Sequence, residues 1–197
     1  LIILGGFLVK TNMKISNNTI LITGGTSGIG LEFVKNLYLE NTIIVVSKSD
    51  NNLKELQSKY PKIQILKCDL SITHEVKNLI EICQNKFSPI NILINNAGIE
   101  LNYDLDNDNE IFSKIEQEIN VNFTSPILLI SGLIPILKMH SESAIINVSS
   151  GLIYAYKKNA VVYSATKYAI HGASISLREQ LRGTSIKVFE LVPPLTD

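Results

Sequence analysis

The chain has no tryptophan, only two cysteines and three histidines, and no excess of charge of either sign. Cys68 and Cys83 form no Cys-x-x-Cys pair, which argues against a disulfide framework and predicts a reduced, cytoplasmic protein. The histidines are scattered without metal-ligand spacing, so no metal is predicted. Eighteen basic residues balance eighteen acidic ones, which leaves no electrostatic basis for binding nucleic acid.

No apolar run predicts a membrane span. The opening residues 1–9 are too few, with neither a basic segment before them nor a cleavage site after them. Because Met13 precedes polar residues and a strand pattern, residues 1–12 are expected to be an upstream or disordered extension. Residues 119–137 predict a helix buried at the domain centre or at a subunit interface, because this uncharged stretch includes Asn120, Asn122, Ser125, Pro126, Ser131 and Pro135.

The length of the chain suits one compact domain, and we expect residues 13–197 to form it. Short runs of Ile, Val and Leu alternate with helical patterns, which predicts an α/β fold with a doubly wound parallel sheet and helices on both faces. The predicted strands are 19–23, 42–47, 63–67, 90–95, 144–149 and 185–191. The predicted helices are 29–39, 51–59, 73–86, 111–137 and 160–182.

A glycine-rich turn follows the first predicted strand and opens the first helix, with the sequence Thr23-Gly24-Gly25-Thr26-Ser27-Gly28-Ile29-Gly30. Glycines let a backbone approach a pyrophosphate closely, and a helix N-terminus offers unpaired N–H groups. This context favours phosphate binding over an ordinary strand-to-helix turn. The predicted contacts are Gly24, Thr26, Ser27, Gly28, Ile29 and Gly30.

Tyr163 and Lys167 stand four residues apart in a helical pattern and therefore share a face of the helix. A lysine ammonium beside a tyrosine hydroxyl favours the ionised phenol, so we predict that Tyr163 is a proton donor near neutral pH. Ser150 follows a predicted strand, where its hydroxyl can hydrogen-bond a substrate oxygen. Singly, each residue has an ordinary structural explanation; together they predict a catalytic site.

With these motifs, the chain resembles the classical short-chain dehydrogenase/reductase family, whose glycine motif is Thr-Gly-x-x-x-Gly-Ile-Gly. Cys68-Asp69-Leu70 and Asn95-Asn96-Ala97-Gly98 fit that family in the same order. The resemblance implies a Rossmann-like fold and hydride transfer between NAD(P)(H) and a carbonyl or secondary alcohol. It also implies that Asp69, with Leu70 beside it, contacts the adenine, although Asp69 as a turn residue is the alternative. The turn with Asn96, Ala97 and Gly98 is implied to pack against the cofactor.

The resemblance also implies roles for the catalytic residues. Tyr163 is the acid/base, Ser150 assists it, Lys167 stabilises tyrosinate and holds the nicotinamide ribose, and Asn122 organises a water relay to the lysine. Tyr154-Ala-Tyr-Lys-Lys158 repeats the Tyr-x-x-x-Lys spacing. We prefer Tyr163 because it has the family's separation from Ser150 and lies in a helical pattern.

Tyr154 and Tyr156 lie in a predicted loop, where they either line a substrate pocket or are surface aromatic residues.

The end of the second strand governs the choice of dinucleotide. Ser47-Lys48-Ser49 lacks the carboxylate that would accept hydrogen bonds from a ribose 2'-hydroxyl, and Lys48 can pair with a 2'-phosphate. NADP(H) is therefore favoured over NAD(H). Two alternatives remain open, because Lys48 can be a solvated surface residue and Asp50 could reverse the preference.

The C-terminal residues depart from the family pattern. The chain ends Glu190-Leu191-Val192-Pro193-Pro194-Leu195-Thr196-Asp197, whereas family members continue through a Pro-Gly turn, a substrate-covering segment and a final strand. We therefore expect a C-terminal truncation with the final strand region missing, and Pro193 as a cofactor contact. A catalytically weak dinucleotide-binding protein that acts through binding or subunit association is the alternative function.

Members of the family commonly associate through two long helices, which correspond here to residues 111–137 and 160–182. The apolar length of the first helix fits that use. The resemblance therefore implies a homo-oligomer with a small-molecule carbonyl or alcohol substrate.

Overall fold

Runs of Ile, Val and Leu form the strands because both faces of the sheet are covered by helices. The computed structural model describes residues 2–4, 7–9, 14–87, 89–106 and 108–194. The strands are β1 Ile2–Leu4, β2 Phe7–Val9, β3 Thr19–Thr23, β4 Thr42–Ser47, β5 Gln64–Lys67, β6 Ile92–Asn95, β7 Ser143–Val148 and β8 Ile186–Leu191. The helices are α1 Gly28–Leu37, α2 Asp50–Lys59, α3 Thr73–Lys86, α4 Ile111–Ile119, α5 Ser125–Leu137 and α6 Val161–Gln180.

Six strands form a parallel sheet in the order β5-β4-β3-β6-β7-β8. The central strand β3 pairs on one side with β4 and on the other with β6, so that Ile22 lies between Val45 and Ile94. The chain winds outward from β3 in one direction and then returns to wind in the other. This topology confirms the predicted Rossmann-like, doubly wound α/β fold and leaves a crevice at the carboxyl ends of β3 and β6, where such folds bind ligands.

The core has one layer on each face of the sheet, because successive strand residues point to opposite faces. Ile20 and Ile22 pack on the side of α1 and α2, whereas Leu21 packs on the side of α3 and α5. All three side chains are at most 1% exposed. The helices therefore hold the sheet rigidly on both faces, and the strand ends around the crevice are fixed in position.

The long apolar helix predicted for residues 111–137 is interrupted. A π-helical turn, Asn120–Thr124, separates α4 from α5. The whole stretch is long and apolar enough to cross a membrane by length and composition. In the fold, however, its residues Leu129, Leu133 and Leu137 are fully buried among the side chains of the core.

The predictions for the two ends of the chain stay predictions. Strands β1 and β2 form an antiparallel pair that is separate from the six-stranded sheet, so the proposed boundary at residue 13 stays a prediction. In the described part of the sheet, β5 and β8 are the two edge strands. Residues 195–197, including Thr196, lie outside the described residues.

Candidate active site

A cavity of about 1060 Å³ opens at the carboxyl ends of the strands and joins the two halves of the predicted site. It brings together Gly24, Thr26, Ser27, Gly28, Ile29, Lys48, Leu70, Asn96, Ala97, Gly98, Ser150, Tyr163, Lys167 and Pro193. Of the other predicted site residues, Gly30, Asp69 and Asn122 lie outside this lining.

The glycine turn is shaped by close backbone approaches. Gly24 has a φ of +68°, and a Cβ atom there would lie 2.9 Å from the Cα atom of Ala97. A Cβ atom at Gly30 would lie 2.2 Å from the carbonyl oxygen of Gly24. Gly28, by contrast, has a φ of +51° and nothing within 4 Å of a Cβ position. Gly30 therefore allows the helix to pack on the turn, whereas Gly28 leaves open space beside the cavity.

Asn96 locks this turn to the end of β6. Its side-chain Nδ2 donates to the carbonyl oxygens of Thr23 and Gly24 at 3.0 and 3.1 Å. The backbone N–H groups of Asn96 and Ala97 both donate to the Thr23 hydroxyl, at 3.0 and 3.1 Å. The predicted Asn-Asn-Ala-Gly motif thus supports the phosphate-side turn through hydrogen bonds.

The end of β4 presents polar side chains to the cavity. Lys48 is exposed and lines it, together with Ser47, Ser49 and Asn52, which sequence reasoning did not select. Asp50 forms an ion pair with Lys54 at 2.5 Å and is not part of the lining. The Asp50 carboxylate is therefore turned toward the helix surface.

Asp69 takes part in a turn of the backbone. Its Oδ1 accepts hydrogen bonds from the N–H and the hydroxyl of Ser71, at 2.9 and 2.7 Å. The neighbouring residues Cys68 and Leu70 line the cavity instead. The turn described as the alternative for Asp69 is present, and the adenine contact stays a prediction.

The cavity suits a dinucleotide on two grounds. Gly28 leaves room at the N-terminus of α1, where unpaired N–H groups favour a pyrophosphate. The lining also runs continuously from Lys48 past Gly98 to Tyr163, so one elongated molecule can reach both ends. These residues fit a nicotinamide cofactor.

Ser150, Tyr163 and Lys167 meet at the other end of the cavity. Ser150 lies just after β7, and its Oγ accepts the N–H of Leu152 at 3.2 Å. The Lys167 Nζ lies 5.5 Å from the centre of the Tyr163 ring and donates to the carbonyl oxygen of Val148 at 3.0 Å. The helix α6 thus places both side chains beside the end of β7.

Burial sets the protonation of this pair. Burial raises the pKa of Tyr163, and the charge of Glu100 raises it further. A hydrogen bond with Ser150 and the charge of Lys157 lower this pKa, but by less. Burial also lowers the pKa of Lys167 to about 8. Desolvation of the phenol is the largest of these effects, so the net pKa of Tyr163 is raised, and the lowering expected from Lys167 stays a prediction. The phenol is protonated at neutral pH.

Asn122 lies directly behind the cavity, in the π-helical turn. Its Oδ1 accepts the N–H of Ile99 and its Nδ2 donates to the carbonyl of Ile99, both at 2.8 Å. Nδ2 also donates to the Thr166 hydroxyl at 3.2 Å. A Cβ atom on Gly98 would lie 3.3 Å from the Lys167 Nζ and 3.5 Å from the Asn122 Oδ1. Asn122 therefore joins the helices to the segment beside Lys167.

The second Tyr-x-x-x-Lys pattern lies in a loop, as predicted. Tyr154 is 77% exposed and outside the cavity lining, whereas Tyr156 contributes to the lining. Sequence reasoning missed Glu100 and Lys157, which form an ion pair in the lining. Their separation along the chain gives no local signal for this contact.

Within the described parts of the chain, no group of three or more His, Cys, Asp or Glu side chains could hold a metal ion.

The chain belongs to the short chain dehydrogenase family, whose sequence profile matches residues 18–197. This match and the relatives below make it an oxidoreductase of that family. It is 39% identical over 186 residues to the uncharacterized oxidoreductase DltE of Bacillus subtilis (strain 168), a match that covers 94% of this chain and 74% of the relative. It is 30% identical to the uncharacterized oxidoreductase SSP1627 of Staphylococcus saprophyticus, covering 91% of this chain and 74% of that protein.

Solved structures share the fold. L-Sorbose reductase from Gluconobacter frateurii, solved with NADPH and L-sorbose, has a TM-score of 0.83 and 25% identity over 94% of this chain and 72% of its own. A metagenomic short-chain oxidoreductase in complex with NADP has a TM-score of 0.83 at 22% identity, covering 91% of this chain and 83% of its own.

The substitution Gly30→Ala should weaken NADPH binding at least about tenfold and destabilise the protein by about 1–3 kcal/mol, because the added methyl collides with backbone. Fluorescence titration and urea unfolding measure the two effects. Asn36→Ala, at an exposed position of the same helix outside the cavity lining, is the control, since it adds no atom to the packed turn. Equal NADPH affinities in the two variants would refute the packing role of Gly30.

The substitution Lys167→Met tests how much the burial of the Lys167 ammonium lowers the free energy of unfolding. The native pKa of Lys167 is about 8 and the reference value is 10.5, so the unfolded chain binds more protons between these values and stability rises with pH there. The variant lacks this rise. The free energy of unfolding of the wild type should therefore increase by roughly 3 kcal/mol relative to that of Lys167→Met across that range.

Urea unfolding at a series of pH values, without cofactor, measures this difference. Lys77→Met, at an exposed position of α3, should run parallel to the wild type. Parallel curves for Lys167→Met would contradict the lowered pKa.

Proposed function

We propose that this protein is an NADP(H)-dependent oxidoreductase that interconverts a carbonyl and a secondary alcohol. The observation that carries the proposal is the single cavity that joins the glycine turn to Ser150, Tyr163 and Lys167. A site that binds a nucleotide at one end and presents a phenol at the other supplies what carbonyl reduction requires.

In the proposed reaction, the bound cofactor supplies hydride chemistry and the protein manages the proton and the substrate oxygen. Ser150 donates a hydrogen bond to that oxygen and holds it near Tyr163. Tyr163, which is protonated at neutral pH, donates the proton as negative charge develops on the oxygen. In the reverse direction the same phenol, once ionised, accepts the proton of the alcohol.

Lys167 and Asn122 support this proton transfer in the proposal. A Lys167 pKa of about 8 leaves the ammonium mainly protonated at neutral pH, where it stabilises the tyrosinate that remains after donation. Asn122 organises a water relay to Lys167, consistent with the approach of both side chains to Gly98. Burial of both residues keeps this relay apart from bulk water, since they are 2% and 4% exposed.

The NADP(H) preference rests on charge at the end of β4. Lys48 lines the cavity, while the nearby Asp50 pairs with Lys54 outside it. A 2'-phosphate beside Lys48 would gain a charge-assisted hydrogen bond without facing a carboxylate. Phosphate-bearing cofactor is therefore favoured.

We further propose a cytoplasmic homo-oligomer formed through α4, α5 and α6. Exposed apolar residues recur seven positions apart on two of these helices: Phe112 and Ile119 on α4, and Val161, Tyr168 and Ile175 on α6. Residues seven apart lie on one helix face, so each helix presents an apolar stripe that a second copy can cover.

Tyr163→Phe should reduce NADPH-dependent reduction of ketones and aldehydes by about 10²–10⁴-fold, because the proton donor is lost. NADPH binding, followed by fluorescence, should persist. Tyr154→Phe is the control, since Tyr154 belongs to the second Tyr-x-x-x-Lys pattern but is exposed. Equal rates for wild type and Tyr163→Phe would rule out this mechanism. NADPH binding by the wild type without turnover would favour the alternative of a catalytically weak dinucleotide-binding protein.

Lys48→Gln should raise the KM for NADPH about tenfold and leave the KM for NADH nearly unchanged, because only NADPH carries the 2'-phosphate. Steady-state kinetics with both cofactors measure the effect. Lys62→Gln, at an exposed position outside the cavity, provides the matched control. An equal change for both cofactors would show that Lys48 does not select the phosphate.

A further inference from the structure

Glu118 is a buried carboxylate that the proposed proton transfer does not use. Its residue on α4 is only 1% exposed. Oε1 accepts the N–H of Leu101 at 2.6 Å, and Oε2 accepts the hydroxyl of Tyr103 at 2.7 Å. One helical turn further on, Asn122 holds the N–H and carbonyl of Ile99. The segment after β6 is thus fastened at three alternate residues, two to α4 and one to the π-helical turn, which fixes its position.

Glu100 lies between two of these fastened residues and belongs to the lining of the cavity. Its carboxylate forms an ion pair with Lys157, and its side chain is 29% exposed. The rest of the cavity's charged lining, Lys48 and Lys167, belongs to the cofactor end and to the catalytic pair. Glu100 is therefore a fixed negative charge on the substrate side.

Lys157, in contrast, can leave this ion pair easily. It belongs to the loop before α6, and its side chain is 49% exposed. Its ammonium lies at the end of a flexible four-carbon stem. Exposed ion pairs contribute little free energy, so moving this ammonium into water costs little. An incoming cation can take its place on Glu100, which stays where its segment holds it.

The surrounding charges favour a cation over an anion at this position. Glu100 and Glu118 both raise the pKa of Tyr163, while Lys157 lowers it, so all three act within electrostatic range of the phenol. If Lys157 turned toward a substrate anion, that anion would face two carboxylates. A substrate cation that replaced Lys157 would face the same two carboxylates favourably.

We infer that Glu100 binds an ammonium group of the substrate, and that Lys157 occupies this position when no substrate is bound. The inference rests on the proposed function and specifies its substrate class as amino ketones and the corresponding amino alcohols. Glu100 is thus a specificity-determining residue, and Lys157 is an internal substitute for the substrate's ammonium.

The test compares ketones that differ in charge, with NADPH as reductant. Aminoacetone and 4-aminobutan-2-one carry an ammonium, butan-2-one and pentan-2-one are neutral, and acetoacetate and 4-oxopentanoate carry a carboxylate. The wild type should prefer the amino ketones in kcat/KM by about tenfold over the neutral ketones, and the carboxylates should be poorest.

Two variants should act in opposite directions. Glu100→Gln should lower the amino-to-neutral ratio of kcat/KM about tenfold, because the receptor charge is lost. Lys157→Gln should raise that ratio about two- to fivefold, because a competing cation is removed. An ion pair with a purely structural role would give changes of the same sign, since both substitutions break the same contact. Changes of the same sign, or a preference for neutral or anionic ketones, would overturn the inference.

Neighbouring exposed charges provide matched controls. Asp104→Asn and Lys158→Gln alter residues outside the cavity lining and should leave the ratio unchanged. Failure to reduce any ketone despite NADPH binding would count against the proposed function instead. In that event, heat protection of the NADPH complex decides the inference. Greater protection by aminoacetone than by butan-2-one, abolished in Glu100→Gln, would support it, and equal or no protection would overturn it.

Discussion

The active cavity depends on the contact between the glycine turn and the segment that follows β6. Asn96 bridges the carbonyl oxygens of Thr23 and Gly24, and the Thr23 hydroxyl accepts two backbone N–H groups in return. The turn has no room for a side chain at Gly30, because the Gly24 carbonyl and the Asn96 amide fill that position. These hydrogen bonds hold two strand ends on either side of the topological switch point, and the cofactor end of the cavity lies between them.

The same segment continues toward Lys167, so that it contacts both ends of the cavity. Gly98 stands close to the Lys167 ammonium, and Ile99 is held by Asn122. Asn122 can reach Ile99 from the π-helical turn, which gives the interruption of the long helix a clear structural use.

Most of the fold could be predicted from the sequence because its signals are local. Continuous runs of β-branched residues mark strands covered on both faces, and the glycine turn and the Asn-Asn-Ala-Gly motif identify consecutive strand ends. The π-helical turn could not be predicted, because Asn120–Thr124 contains neither glycine nor proline. It forms where distant partners are in reach: Asn120 donates to the Ser71 carbonyl at 3.1 Å, and Asn122 binds Ile99.

The candidate site also has one part that local sequence signals predict and one part that they do not. Backbone geometry shapes the cofactor end, so its residues leave a pattern of glycines that can be recognised in the sequence. Side chains from distant segments shape the other end, where Glu118 meets Tyr103 and Glu100 meets Lys157. Burial is also the largest influence on the pKa of Tyr163, and it depends on packing that residue spacing does not reveal. Residue types and spacing can therefore identify the family and its fold, whereas the environment of the candidate catalytic groups emerges only after the chain has folded.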